Sequence, residues 1–192
     1  MSEAYKDQTE QDYFTYADYR QWELKDGERY ELIDGIAYAL AAPSEIHQLI
    51  SGEIFRQIAN FLHGKPCKVF SAPYDVRLFY EEDESDDTVV QPDITVLCDK
   101  EKRSPEGCHG APDMIIEILS PSNSGEDFIK KLNLYMEAGV KEYWIVSPVN
   151  KTVMVNILKD GTYYTVVYKA DAVLPVKTLE GLTITLSDVF AG

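Results

Sequence analysis

A carboxylate set inside the chain's most apolar run constrains the fold more than any other feature. Glu117 lies within MIIEIL, in the stretch QPDITVLCDK to GAPDMIIEILSPSNSGEDFIKKLNLYMEAGVKEYWIVS that spans Gln91–Ser147. Runs as apolar as Ile94–Cys98 and Met114–Leu119 suit strands buried on both faces. After the second run, SPSNSGED opens a helix from about Glu126 to Ala138, and Gly139 stands where helices commonly end. Phe128, Leu132, Tyr135 and Met136 mark its apolar face. Glu142–Val146 then reads as a strand. A strand–helix–strand path brings the chain back across the sheet, so the two strands are expected to be parallel.

The remaining segments read as support for this unit. Residues 1–12 are polar and expected to be mobile. Thr15 can cap a helix over Tyr16–Leu24. In Tyr30–Leu40 (YELIDGIAYAL) an Asp-Gly pair separates two β-prone runs, the strong signal for a hairpin. From Ser44 to about Leu62 a helical period places Ile46, Leu49, Ile50, Ile54, Ile58, Phe61 and Leu62 on one face. Short strands follow at Lys68–Ser71, Tyr74–Tyr80 and Thr88–Val90, and Lys100–Ala111 reads as a loop. Asp160-Gly161 marks a second hairpin between Thr152–Leu158 and Tyr163–Tyr168, and Leu179–Phe190 adds a short strand or turn. The expected class is α/β (α+β): one domain over residues 1–192, a mixed central sheet flanked by helices, with additional β-hairpins.

Composition narrows the classes further. No run approaches the ~18 apolar residues of a membrane span. The N-terminus MSEAYKDQTEQD has no apolar signal-peptide core, so a cytoplasmic location is expected. Cys67, Cys98 and Cys108 are odd in number and scattered, which argues against both a disulfide framework and a zinc clip. The formal net charge of −15 predicts weak generic affinity for nucleic acid, since that affinity comes from Lys and Arg. Much of the charge sits in Glu81–Asp87 (EEDESDD), which reads as a solvated loop.

Burying Glu117 is costly unless it is paired or binds a cation. Asp93 opens the neighbouring apolar strand after Pro92. Two carboxylates on adjacent strands repel, and a bound Mg²⁺ or Mn²⁺ would remove that repulsion with oxygen ligands of the kind these ions take. The backbone carbonyl of Ile118 is a further candidate ligand. Lys131, on the returning helix, can reach over the sheet toward both acids and orient a water or stabilise phosphoryl charge. Lys130 lies about 100° away around the helix axis.

These residues carry a resemblance. PDITVLCDK together with GAPDMIIEILSPSNSGEDFIKKLNLYMEAGVKEYWIVSP, preceded by YELIDG and APSEIHQLI, resembles the Uma2-type (DUF820) endonucleases of the PD-(D/E)xK nuclease superfamily, over roughly residues 14–150. The resemblance implies a restriction-endonuclease-like fold and hydrolysis of phosphodiester bonds in nucleic acid, DNA first. Asp93 matches the superfamily aspartate and Glu117 its second acid. The usual lysine stands two residues after that acid, where this chain has Leu119; the family pattern places it at Lys131 instead.

Around this trio, Glu31 is a candidate third acid, His47 a capping or substrate-contacting residue, and Gln91 a contact for water or phosphate. Asp127 stands four residues before Lys131, a spacing that also suits a plain surface ion pair. Cys108-His109 invite a cysteine-hydrolase reading, but adjacent side chains rarely form a nucleophile–base pair. Tyr143-Trp144 suit a core or an interface, and a homodimer through this aromatic strand is an expectation. Two readings compete with the nuclease. One is a catalytically silent nuclease-fold module whose acidity suits a basic partner; the other is a metal-dependent hydrolase of a small phosphate compound.

Overall fold

The Asp34-Gly35 pair turns the chain as its composition requires. Both residues have positive φ, 52° and 75°, and they join β1 (Tyr30–Ile33) to β2 (Ile36–Ala39). The structure, a computed structural model, describes residues 13–120 and 125–191; of residues 125–127 only the backbone is described. The expectation for residues 1–12 therefore lies outside the described residues. Ahead of the hairpin, α1 is a single turn, Tyr16–Tyr19, shorter than the sequence suggests; the Asp18 carboxylate accepts the Thr15 N–H and closes a capping box.

The long helix α2 covers Glu45–Leu62, and its N-cap Ser44 accepts the His47 N–H. Its buried side is His47, Ile50, Ser51, Ile54, Ile58 and Leu62. Ile46 and Leu49 are 38% and 52% exposed, so the apolar stripe is narrower than the sequence suggests and His47 lies on the inner face. After α2 come β3 (Lys68–Ser71), β4 (Val76–Arg77), β5 (Val89–Val90) and β6 (Ile94–Leu97). The expected loop 100–111 instead holds a 3₁₀ turn at Lys100–Lys102 and a small hairpin, β7 (Arg103–Ser104) with β8 (Gly107–His109). Then follow β9 (Met114–Ile118), α3 (Gly125–Ala138), β10 (Glu142–Ser147), β11 (Thr152–Lys159) and β12 (Thr162–Lys169). The C-terminal part is richer than one strand: β13 (Val173–Pro175), β14 (Thr183–Thr185) and α4 (Leu186–Val189).

Among the described residues the strands form two six-stranded sheets, ordered β2-β1-β5-β4-β8-β7 and β12-β11-β10-β9-β6-β3, and the pair β13-β14. As the crossover predicts, β9 and β10 are parallel, with Glu117 opposite Ile145. On its other side β9 runs antiparallel to β6, with Ile116 opposite Ile94.

Alternation along β9 and β10 sorts their side chains into two cores. Met114, Ile116, Ile118, Trp144 and Val146 share one with Ile50, Ile54 and Ile58 of α2. Ile115, Tyr143 and Ile145 share the other with Leu134 and Tyr135 of α3. Glu117 has the parity of Ile115, so it faces α3. Tyr143 and Trp144 are interior at 2% and 0% exposure, which removes the ground for a dimer through that strand.

Two further readings are corrected. Cys67 and Cys98 form a disulfide between the ends of β3 and β6, where antiparallel pairing of Lys68 with Leu97 sets the next residues opposite each other. Spacing along the chain carries no trace of this, because the partners are 31 residues apart. The acidic run 81–87 is not wholly solvated. Asp86 is buried and pairs with buried Arg77, whose guanidinium stacks on Tyr16 and Tyr80.

Candidate active site

Strand pairing and one crossover bring the predicted trio together. Asp93 precedes β6 beside β9, and its Oδ2 accepts the Ile118 N–H at 2.8 Å. The same oxygen meets His47 Nε2 at 3.1 Å, so α2 fixes the carboxylate from the opposite side. Lys131 Nζ donates to Glu117 Oε1 at 2.8 Å and lies 2.9–3.0 Å from both oxygens of Glu31. Tyr135, one helical turn after Lys131, donates its hydroxyl to Glu117 Oε1 at 2.7 Å. Glu31 is 2% exposed and also accepts the Gln91 N–H at 2.9 Å.

Electrostatics follow from this crowding. Burial pushes Glu117 up to about 7; Lys131 opposes that shift, while Asp93 and Glu31 add to it. Burial works against the Lys131 ammonium, but Glu117 and Glu31 outweigh it and hold the group above its ordinary range. For His47 the hydrogen bond to Asp93 outweighs burial, so the imidazole is shifted toward its cationic form. His47 Nδ1 has no hydrogen-bond partner among the described residues.

The surrounding cavity has a volume of about 790 Å³. Arg29, Lys130 and Lys131 line it alongside Glu31, Asp93 and Glu117, three cations against three carboxylates. The cavity is thus far closer to neutrality than the chain's −15 implies. Lys130 itself bonds the Tyr38 hydroxyl and pairs with Asp34 rather than with the acids.

A hard divalent cation can be tested against these groups. No set of three or more His, Cys, Asp or Glu side chains among the described residues is arranged to hold a metal. Two carboxylates do have a spare oxygen. Asp93 uses only Oδ2 and Glu117 only Oε1 in hydrogen bonds to described residues. Asp93 Oδ1, Glu117 Oε2 and the Ile118 carbonyl, completed by water, make an oxygen set of the type Mg²⁺ accepts. Burial raises Glu117 first, and the neighbouring Asp93 and Glu31 carboxylates raise it further, so a cation beside Glu117 would offset both. The residues fit such an ion.

Other candidates are placed differently. Gln91 turns its amide to Asp75 Oδ1 and the Tyr19 hydroxyl, so its side-chain donors are committed away from the carboxylates. The Asp127 side chain lies outside the described residues. Cys108 and His109 form no dyad: burial pushes the thiol up to about 12, its Sγ donates to the Gly110 carbonyl, and the His109 ring stacks on Tyr80. Sequence reasoning missed Tyr135 as a partner of Glu117 and Arg29 as a wall residue. The first had a signal, its spacing of four from Lys131; the second had none.

The same fold occurs in a crystal structure from Anabaena variabilis described as "a putative nuclease belonging to DUF820", with a TM-score of 0.72 over 93% of this chain and 98% of that one at 24% identity. The architecture is accordingly a nuclease-like α+β fold. The chain belongs to the Uma2 family, described as "Putative restriction endonuclease", whose model matches residues 16–187. The "uncharacterized protein slr1290" of Synechocystis sp. is 26% identical over 177 residues, 91% of this chain and 90% of the relative.

Proposed function

We propose that this chain is a Mg²⁺- or Mn²⁺-dependent endonuclease that hydrolyses phosphodiester bonds of nucleic acid, with DNA as the substrate. The observation that carries the reading is the shared contact of Lys131 with Glu117 and Glu31, next to an Asp93 pinned by Ile118 and His47. Asp93, Glu117 and the Ile118 carbonyl would hold the ion, which when bound activates water and neutralises phosphoryl charge. His47 and the Ile118 N–H fix one Asp93 oxygen, and the other has no hydrogen-bond partner among the described residues. Tyr135 and Lys131 do the same for Glu117. Lys131 lines the cavity, so its ammonium can meet a water or a phosphoryl oxygen there without leaving the carboxylates. Near-neutral cavity walls remove part of the repulsion that the chain's overall charge would impose on a polyanion.

The test is cleavage of supercoiled plasmid and single-stranded oligonucleotides with Mg²⁺ or Mn²⁺, by the parent and by Asp93→Asn, Glu117→Gln and Lys131→Gln. Cleavage by the parent and its loss in folded variants are expected. Equal cleavage by parent and variants overturns the assignment. The acidity of the chain favours a second reading, a silent nuclease-fold module for a basic partner. That reading wins if calorimetry finds no Mg²⁺ or Mn²⁺ binding and no substrate is cut.

A further inference from the structure

Strand β12 is the outer strand of the second sheet, and nothing among the described residues pairs with its outer edge. It is eight residues long, TYYTVVYK, and Lys169 is its only charge. Tyr164, Val166 and Val167 are 58%, 51% and 55% exposed. Tyr164 and Val166 lie on one face and Thr165 and Val167 on the other, so both faces meet solvent along the edge. Long apolar edges are templates for another strand, and proteins usually blunt them with charges, proline or bulges. Here there is no proline within the strand, and pairing with β11 runs unbroken from Thr162–Lys159 to Lys169–Thr152.

The ladder shows which backbone groups are free. Asp160-Gly161 is a two-residue turn with φ of 51° and 75°, and Lys159 and Thr162 flank it. In such hairpins the flanking pair exchanges both hydrogen bonds, and bonded pairs then alternate. Tyr163, Thr165, Val167 and Lys169 therefore point their N–H and C=O groups outward.

We infer that this edge joins a second copy of the same chain, β12 against β12, antiparallel about a two-fold axis at Thr165. A two-fold normal to the sheet keeps each face on its own side, so a residue can oppose only partners of its own parity. Centring on Thr165 sets Tyr164 opposite Val166, Tyr163 opposite Val167 and Thr162 opposite Tyr168, each twice. Aromatic–β-branched pairs of this kind stabilise sheets. Lys169 falls opposite Gly161, beside Asp160 of the other copy, so each end of the ladder joins opposite charges. No acid lies between Asp160 and Asp171, so the two −15 chains meet without acid-to-acid contact. The contact is isologous and closes at two copies.

The test is the mass of the full chain in solution by sedimentation equilibrium at about 100 µM, a concentration that populates even μM dimers. The parent is expected to be a dimer. Val166→Glu and Val166→Lys change an exposed side chain, and each is expected to be a monomer whose melting temperature matches that of the parent at a dilution where the parent is also monomeric. Mixed in equal amounts, they are expected to form a heterodimer, because the two 166 positions lie diagonally across the axis on one face. A monomeric parent overturns the inference, and so does a dimer that persists in either variant. The readout is mass, so it stands or falls apart from the nuclease assignment.

Discussion

Replacing Lys131 with Met keeps the stem and removes the ammonium that Glu31 and Glu117 share. Side-chain exposure is 3% for Glu31, 15% for Glu117 and 20% for Lys131, so solvent cannot take over the role. Removing one partner of a buried pair costs about 3–5 kcal/mol, because the other charge stays buried and uncompensated. For a chain of this size ~2–4 °C follows per kcal/mol, so melting should fall by roughly 6–20 °C at pH 8. The pH dependence has a definite sign. Glu117 is already raised, to about 7, from 4.5, so its contribution to stability is complete below the unfolded value and is lost as pH rises through the folded one. Lys131 is the first group that opposes this shift, so the variant's deficit should be larger at pH 8 than at pH 5. Thermal denaturation at both pH values measures it. Adding Glu117→Gln to Lys131→Met should recover part of the loss. A loss below about 1 kcal/mol, or an equal loss at the two pH values, would refute the claim that this ammonium holds two buried acids in place.

Other perturbations probe separate parts of the argument. Mn²⁺ affinity, measured by calorimetry, should rise between about pH 6 and pH 8 with proton release, because Glu117 must ionise to bind; pH-independent affinity would remove it as a ligand. Arg77→Met strands the buried Asp86 and should cost about 3–5 kcal/mol in urea unfolding, whereas Arg20→Ala, from a pair exposed by 52% and 31%, should cost no more than about 1 kcal/mol. Reducing the Cys67–Cys98 bond, or Cys67→Ser, opens a loop of 31 residues and should lower stability by about 3–4 kcal/mol. Gly107→Ala should lower the melting temperature: φ there is 146°, and an added Cβ would strike the Asp75 carbonyl.

Local signals in the chain were enough to determine its main elements and to single out the residues of its candidate site. Two Asp-Gly turns, the periodic helix after Ser44 and the apolar runs around Asp93 and Glu117 are properties of neighbouring residues, and the structure has all of them. An acid inside MIIEIL marked a candidate site because burying a lone carboxylate is costly wherever the chain folds. Contacts between segments distant along the chain had to await the tertiary structure. The register of β6 on β9 fixes Asp93 to the Ile118 N–H, and the crossover of α3 brings Lys131 to Glu31, one hundred residues earlier. The inward face of His47, the Cys67–Cys98 bond and the Arg77–Asp86 pair likewise depend on which elements pack together. A side chain's type is written in the sequence, but its partner is set by packing across the sheet, where separation along the chain carries no information.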